Sequence, residues 1–174
     1  MSDPRYPIGE FRFEGTLGES ARNDLISQME RTPAELRSAV KGLSAEQLDT
    51  PYRRGGWSVR QVVHHVPDSH MNAYTRFKLA LTEDQPTIKT YAEARWAELE
   101  DTQRVPIEVS LDLLDALHRR WTALLRALDP QDWKRTFNHP ERGRVSLEEN
   151  LAMYAWHGRH HVAHVVELRK RMGW

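Results

Sequence analysis

Between residues 110 and 128, Leu111, Leu114, Leu117, Trp121, Leu124, Leu125 and Leu128 recur at steps of three and four. That period puts them on one face of an amphipathic helix, the clearest stripe in the chain. Residues 20–41 carry Leu25, Met29, Leu36 and Val40 at near-helical spacing, with Ser20 as the expected N-cap. Pro33 lies inside that segment, where it lacks an N–H and crowds the preceding turn; either the helix kinks or two helices meet at Thr32-Pro33. Ser44 with Gln47 three residues on predicts a short capped turn over 44–48. A loop at Pro51–Gly56 precedes Trp57-Ser58, and Ser58 caps a second long helix toward Glu83 along Val59, Val62, Val63, Val66, Met71, Tyr74, Phe77 and Leu81, with a kink expected at Pro67.

Residues 84–107 read as loop, with a short helix near Tyr91–Leu99, and residues 129–145 as a polar connection. Ser146 with Glu149 forms a capping-box pattern for a last helix running to about Arg171, whose basic end, Arg169-Lys170-Arg171, suits the helix dipole. Strand signals are nearly absent. Four long helices predict an all-α fold, a four-helix bundle, formed as one domain over residues 1–174. Residues 1–18, rich in Pro and Gly and without helical period, predict an extended N-terminal arm.

Composition narrows the chemistry. With 25 basic and 25 acidic residues the net charge is zero, so nothing suggests a nucleic-acid partner held by a basic face. The absence of cysteine excludes disulfides, zinc fingers and catalysis by a protein thiol. No apolar run approaches membrane-span length and the first residues lack a signal-peptide core, so a cytoplasmic protein is expected. Exposed Trp96, Trp133 and Trp174 are candidates for a subunit interface.

The nine histidines cluster: His64, His65 and His70 in one group, His157, His160, His161 and His164 in another, with His118 and His139 apart. Histidines four apart share a helix face and can converge on one cation, so His157 with His161 and His160 with His164 are both possible pairs. The stripe Leu147, Leu151, Tyr154, Gly158, His161, Val165 and Leu168 puts His161 at the centre of the buried face, which favours the first pair. A third ligand must come from another helix; His64 and His65, one residue apart, serve equally well on spacing alone. His64, His70, His118 and His139 each also read as a satisfied core or exposed imidazole.

Several segments resemble the DinB/YfiT family of four-helix metalloproteins. They are Gly55-Gly56-Trp57-Ser58-Val59-Arg60-Gln61-Val62-Val63-His64-His65, Asp68-Ser69-His70-Met71-Asn72, Arg76–Glu83 and Tyr154–His164, within a likeness spanning nearly the whole chain. In that family the first ligand stands eight residues after the tryptophan that opens the helix, which corresponds to His65. The other two are the first histidine of the last-helix motif and the one four residues later, His157 and His161. One departure is Pro67, where the family pattern has a small helix former; a kink there bears on the position of His65. The resemblance implies one divalent metal ion per subunit, zinc first and nickel second, on three imidazoles with a coordination position left open. Asp68, Asn72 and Glu149 are candidate outer-shell acceptors. It further implies a metal-dependent hydrolase acting on a small-molecule substrate, in a homodimer. Two alternatives are a bacillithiol-type S-transferase with a low-molecular-weight thiol as cosubstrate and a non-catalytic metal-binding stress-response protein. No HExxH motif supports a metalloprotease.

Overall fold

The computed structural model describes residues 3–174. Seven α-helices follow in order among these residues: α1 (Glu19–Val40), α2 (Ala45–Leu48), α3 (Val59–Thr82), α4 (Glu93–Trp96), α5 (Glu100–Arg104), α6 (Ile107–Arg126) and α7 (Leu147–Met172). The four long ones, α1, α3, α6 and α7, make a four-helix bundle. Helix α1 packs against α6 and α7, and α3 packs against the same two, so α1 and α3 occupy one diagonal and α6 and α7 the other.

The connection between α6 and α7 departs from the expected polar loop. It holds a 3-10 turn, Asp132–Lys134, and an antiparallel hairpin of β1 (Thr136–His139) and β2 (Gly143–Ser146). Phe137 faces Val145 across the hairpin and both are buried. Gly143 supplies a left-handed φ of 75° at the turn. Trp133, expected at an exposed interface, is instead buried, its ring covered by the Arg22 guanidinium at 5.6 Å.

Capping explains where the helices begin. Helix α3 starts at a complete capping box, in which Ser58 and Gln61 exchange side-chain and backbone bonds. Ser146 caps α7 by accepting from the Glu149 N–H, but the Glu149 carboxylate pairs with Arg142 and the expected box stays half formed. Gly18, not Ser20, stands at the N-cap of α1. Neither internal proline ends its helix: α1 continues through Pro33 and α3 through Pro67.

The core has two apolar layers. Near one end are Met29 of α1, Ala73 and Phe77 of α3, Trp121 of α6, and Leu151 and Ala155 of α7. Near the other are Leu36, Val62, Val66, Leu111, Leu114 and Val165. Between them each long helix supplies residues of another kind: Thr32 and Pro33, Ser69 and His70, His118, and Gly158 with His161, every one buried. The bundle thus carries a polar, histidine-rich stratum at mid-height. The arm lies along α7, where His164 Nε2–H donates to the Arg5 carbonyl at 3.2 Å and Leu17 N–H to Glu148 at 3.3 Å. Its first two residues lie outside those described.

Candidate metal centre

Two helices build the centre. The capping box fixes the start of α3, and His65 follows seven residues after Ser58. Trp57, just before the cap, lays its ring 4.5 Å from the His65 ring and 6.4 Å from that of His161. The opposing wall is α7, where His157 and His161 stand one turn apart with ring centroids 4.5 Å from each other. His65, His157 and His161 each offer one ring nitrogen, and the three atoms all lie within 4.8 Å of one another. His65 Nε2 and His157 Nε2 are 3.3 Å apart. The helix runs on through Pro67, and His65 still reaches α7.

His64, His160 and His164 meet other partners. His64 Nδ1 pairs with the Ser110 hydroxyl at 2.7 Å, away from His157. His160 stacks on Trp156 at 4.3 Å and His164 on Tyr52 at 3.9 Å; both rings lie 5.4 Å from that of His161 but outside the group of three converging nitrogens.

Burial sets the protonation state. Desolvation pushes His65 down to about 4, and burial followed by neighbouring imidazoles holds His157 and His161 well below the ordinary histidine value. Neutral rings keep a bare nitrogen, which is the form that binds a cation. The donor set therefore fits a divalent metal: three neutral imidazoles, converging and largely shielded from water. His161 Nδ1 is buried without a hydrogen-bond partner.

The surroundings of His157 were not legible from spacing. Asn72 donates to the Asp68 carbonyl within its own helix, and Glu149 is held by Arg142. Instead, His157 Nδ1 lies 3.1 Å from His70 Nε2, His70 Nδ1 lies 2.8 Å from His118 Nε2, and His118 Nδ1 lies 2.6 Å from the Met29 carbonyl oxygen. Beside His157 opens a cavity of about 470 Å³, lined also by Ser69, Arg76, Tyr91, Asn150 and Tyr154. The Tyr91 hydroxyl and the Asn150 amide nitrogen are buried there without partners. Burial pushes the Tyr91 phenol up, and neighbouring Tyr154, Glu93 and Asp68 add to the shift in that order. Asp68 itself is pushed up to about 6, by burial first and by Asp101 second.

Comparison with known proteins gives this geometry a family. The DinB superfamily profile matches residues 28–165. A protein of Bacillus mycoides (strain KBAB4) named "Putative metal-dependent hydrolase" is 56% identical over 174 residues, covering 100% of both chains. A homologue with the same name from Bacillus cereus (strain B4264) is also 56% identical over the full length of both. Among solved structures, YfiT from Bacillus subtilis, described as "a probable metal-dependent hydrolase with an unusual four-helix bundle topology", superposes with a TM-score of 0.96 at 50% identity, covering 98% of each chain. TT2238, a four-helix bundle protein, shares the fold with a TM-score of 0.57 at 22% identity, over 81% of this chain and 94% of its own. The chain belongs to the DinB superfamily.

Proposed function

We propose that this protein is a metal-dependent hydrolase of a small molecule, with His65, His157 and His161 as the ligands of one divalent ion. The observation that carries the reading is the convergence of three ring nitrogens, from buried His65 and His161 and half-buried His157, within 4.8 Å of one another beside a cavity. Zinc is the first choice. Three neutral imidazoles with a position left open would suit it. Nickel, which imidazole also suits, is second.

A bound divalent ion would supply Lewis acidity and lower the pKa of a water or thiol at the open position. The chain's own groups do the rest. Trp57 and the apolar layers above and below exclude bulk water. The unpartnered Tyr91 hydroxyl and Asn150 amide offer hydrogen bonds to a substrate in the cavity. For the proton we assign Asp68, three residues after His65 on the same helix, whose half-buried carboxyl is pushed up to about 6, a value matched to general acid–base work near neutrality. The homodimer belongs to this proposal on family resemblance alone.

The test is turnover by the zinc-loaded and nickel-loaded protein on a panel of esters, amides and small electrophiles, with and without a low-molecular-weight thiol. Hydrolysis independent of thiol, and reduced in Asp68→Asn at unchanged metal content, is the expected result. Conversion that requires added thiol assigns the S-transferase reaction instead. Stoichiometric metal without turnover on any substrate leaves a metal-binding protein.

A further inference from the structure

The three histidines that run inward from the centre form a line with a direction. Its far end is the Met29 carbonyl oxygen of α1, which has no proton to give. His118 Nδ1, at 2.6 Å, must therefore be the donor. A neutral imidazole carries one proton, so His118 Nε2 is bare and accepts from His70 Nδ1–H at 2.8 Å. His70 Nε2 is then bare in turn and accepts from His157 Nδ1–H at 3.1 Å. The same count leaves His157 Nε2 bare, and that atom faces His65. His70 and His118 are 0% and 1% exposed, so neither can exchange these partners for water.

The start of the line lies in the sequence of α1. Within a helix the carbonyl of residue 29 accepts from the N–H of residue 33. Residue 33 is proline and has no N–H. The proline that is awkward for α1 thus frees the acceptor that His118 uses.

We infer that Pro33, the Met29 carbonyl, His118 and His70 act as a positioning chain that fixes His157 in its Nδ1–H form with Nε2 presented to the metal. The inference rests on the ligand assignment proposed above. It adds residues that touch no metal and no substrate, and it gives a role to two core histidines and a helix-interior proline. A ligand imidazole whose second nitrogen donates to a fixed acceptor is locked in rotation and made more basic. Here the acceptor is another histidine, itself oriented two steps further on. The line crosses all four long helices: α7, α3, α6 and α1.

The test is a long-range proton–nitrogen correlation spectrum of the metal-free, 15N-labelled full chain, in which protonated and bare imidazole nitrogens separate widely. The expected result is a proton on Nδ1 and a bare Nε2 at His70, His118 and His157. A proton on Nε2 of His70 or His157 overturns the inference. Titration with zinc alone gives the second readout. Pro33→Ala, which restores an N–H to compete for the Met29 carbonyl, and His118→Phe, which removes the tether, are each expected to weaken zinc binding by about 10–100-fold and to mix the His157 tautomers. Unchanged zinc affinity in both variants overturns the positioning role. If the native chain binds no zinc, the ligand assignment fails, while the metal-free spectrum still decides the direction of the chain.

Discussion

His65 and His157, on helices α3 and α7, bring their Nε2 atoms to 3.3 Å of each other inside the bundle. Two bare nitrogens at that distance repel unless a proton or a cation lies between them, so a cation that binds there stabilises the native state. A ligand that binds only the folded protein adds about 2.7 kcal/mol at a hundred times its Kd. For a chain of this size each kcal/mol is worth about 2–4 °C in Tm. Calorimetry with and without excess zinc should show a rise of several degrees, and no shift would count against the site.

Acid should unfold the metal-free protein early. Burial holds His65, His118, His160 and His164 at about 4, down from the ordinary 6.5. Between those values the unfolded chain binds more protons than the native one, so stability rises with pH across the window and is lost as pH falls from about 6.5 to about 4. Asp68 opposes this: raised from 3.8 to about 6, it holds a proton in the native state that the unfolded chain lacks. One carboxyl against four imidazoles leaves the sign unchanged. Urea midpoints across this window should fall with falling pH, and a flat profile would contradict the buried neutral state.

Gly158 lets α7 approach α1 closely. A Cβ there would sit 2.7 Å from Thr32 Cγ2 and 2.9 Å from its Oγ1. Thr32 is fully buried and its hydroxyl donates to the Gln28 carbonyl at 3.1 Å, which holds it in place. Gly158→Ala should destabilise by about 1–3 kcal/mol, the usual range for overpacking. Adding Thr32→Ser should recover part of the loss. Equal stabilities by urea unfolding would show that the helices can separate at little cost.

Arg22 and Glu148 form an ion pair at 2.6 Å that is 15% and 9% exposed, and Glu148 also accepts from the Leu17 N–H of the arm. Removing one member leaves the other charge buried. Arg22→Met should cost about 3 kcal/mol and release the arm, seen as faster proteolysis before residue 19. A change below ~0.5 kcal/mol would place this pair with ordinary surface pairs.

The long helices were legible because their stripes repeat over several turns, and the cap residues Ser58 and Ser146 marked two starts within a residue. The hairpin was not. Phe137 and Val145 are single apolar positions in four-residue strands, too short for alternation to register. Trp133 looked exposed because its cover, Arg22, is distant in sequence. At the centre, spacing offered two histidine pairs and could not separate His64 from His65. Two of the partners that set these histidines apart lie on other elements: Ser110 holds His64 on the α6 side and Tyr52 stacks on His164, while Trp156 stacks on His160 within α7. His70 and His118 read as isolated core histidines because their line is assembled from contacts between residues 48, 87 and 89 positions apart, on separate helices.

The central claim is that His65, His157 and His161 hold one divalent ion, and metal content per chain tests it most directly. Untagged protein equilibrated with zinc and freed of excess should carry one zinc per chain, as should His160→Ala and His164→Ala. His65→Ala, His157→Ala and His161→Ala should each carry close to none while remaining helical. Full zinc in His161→Ala, or loss of zinc in His164→Ala, would contradict the account.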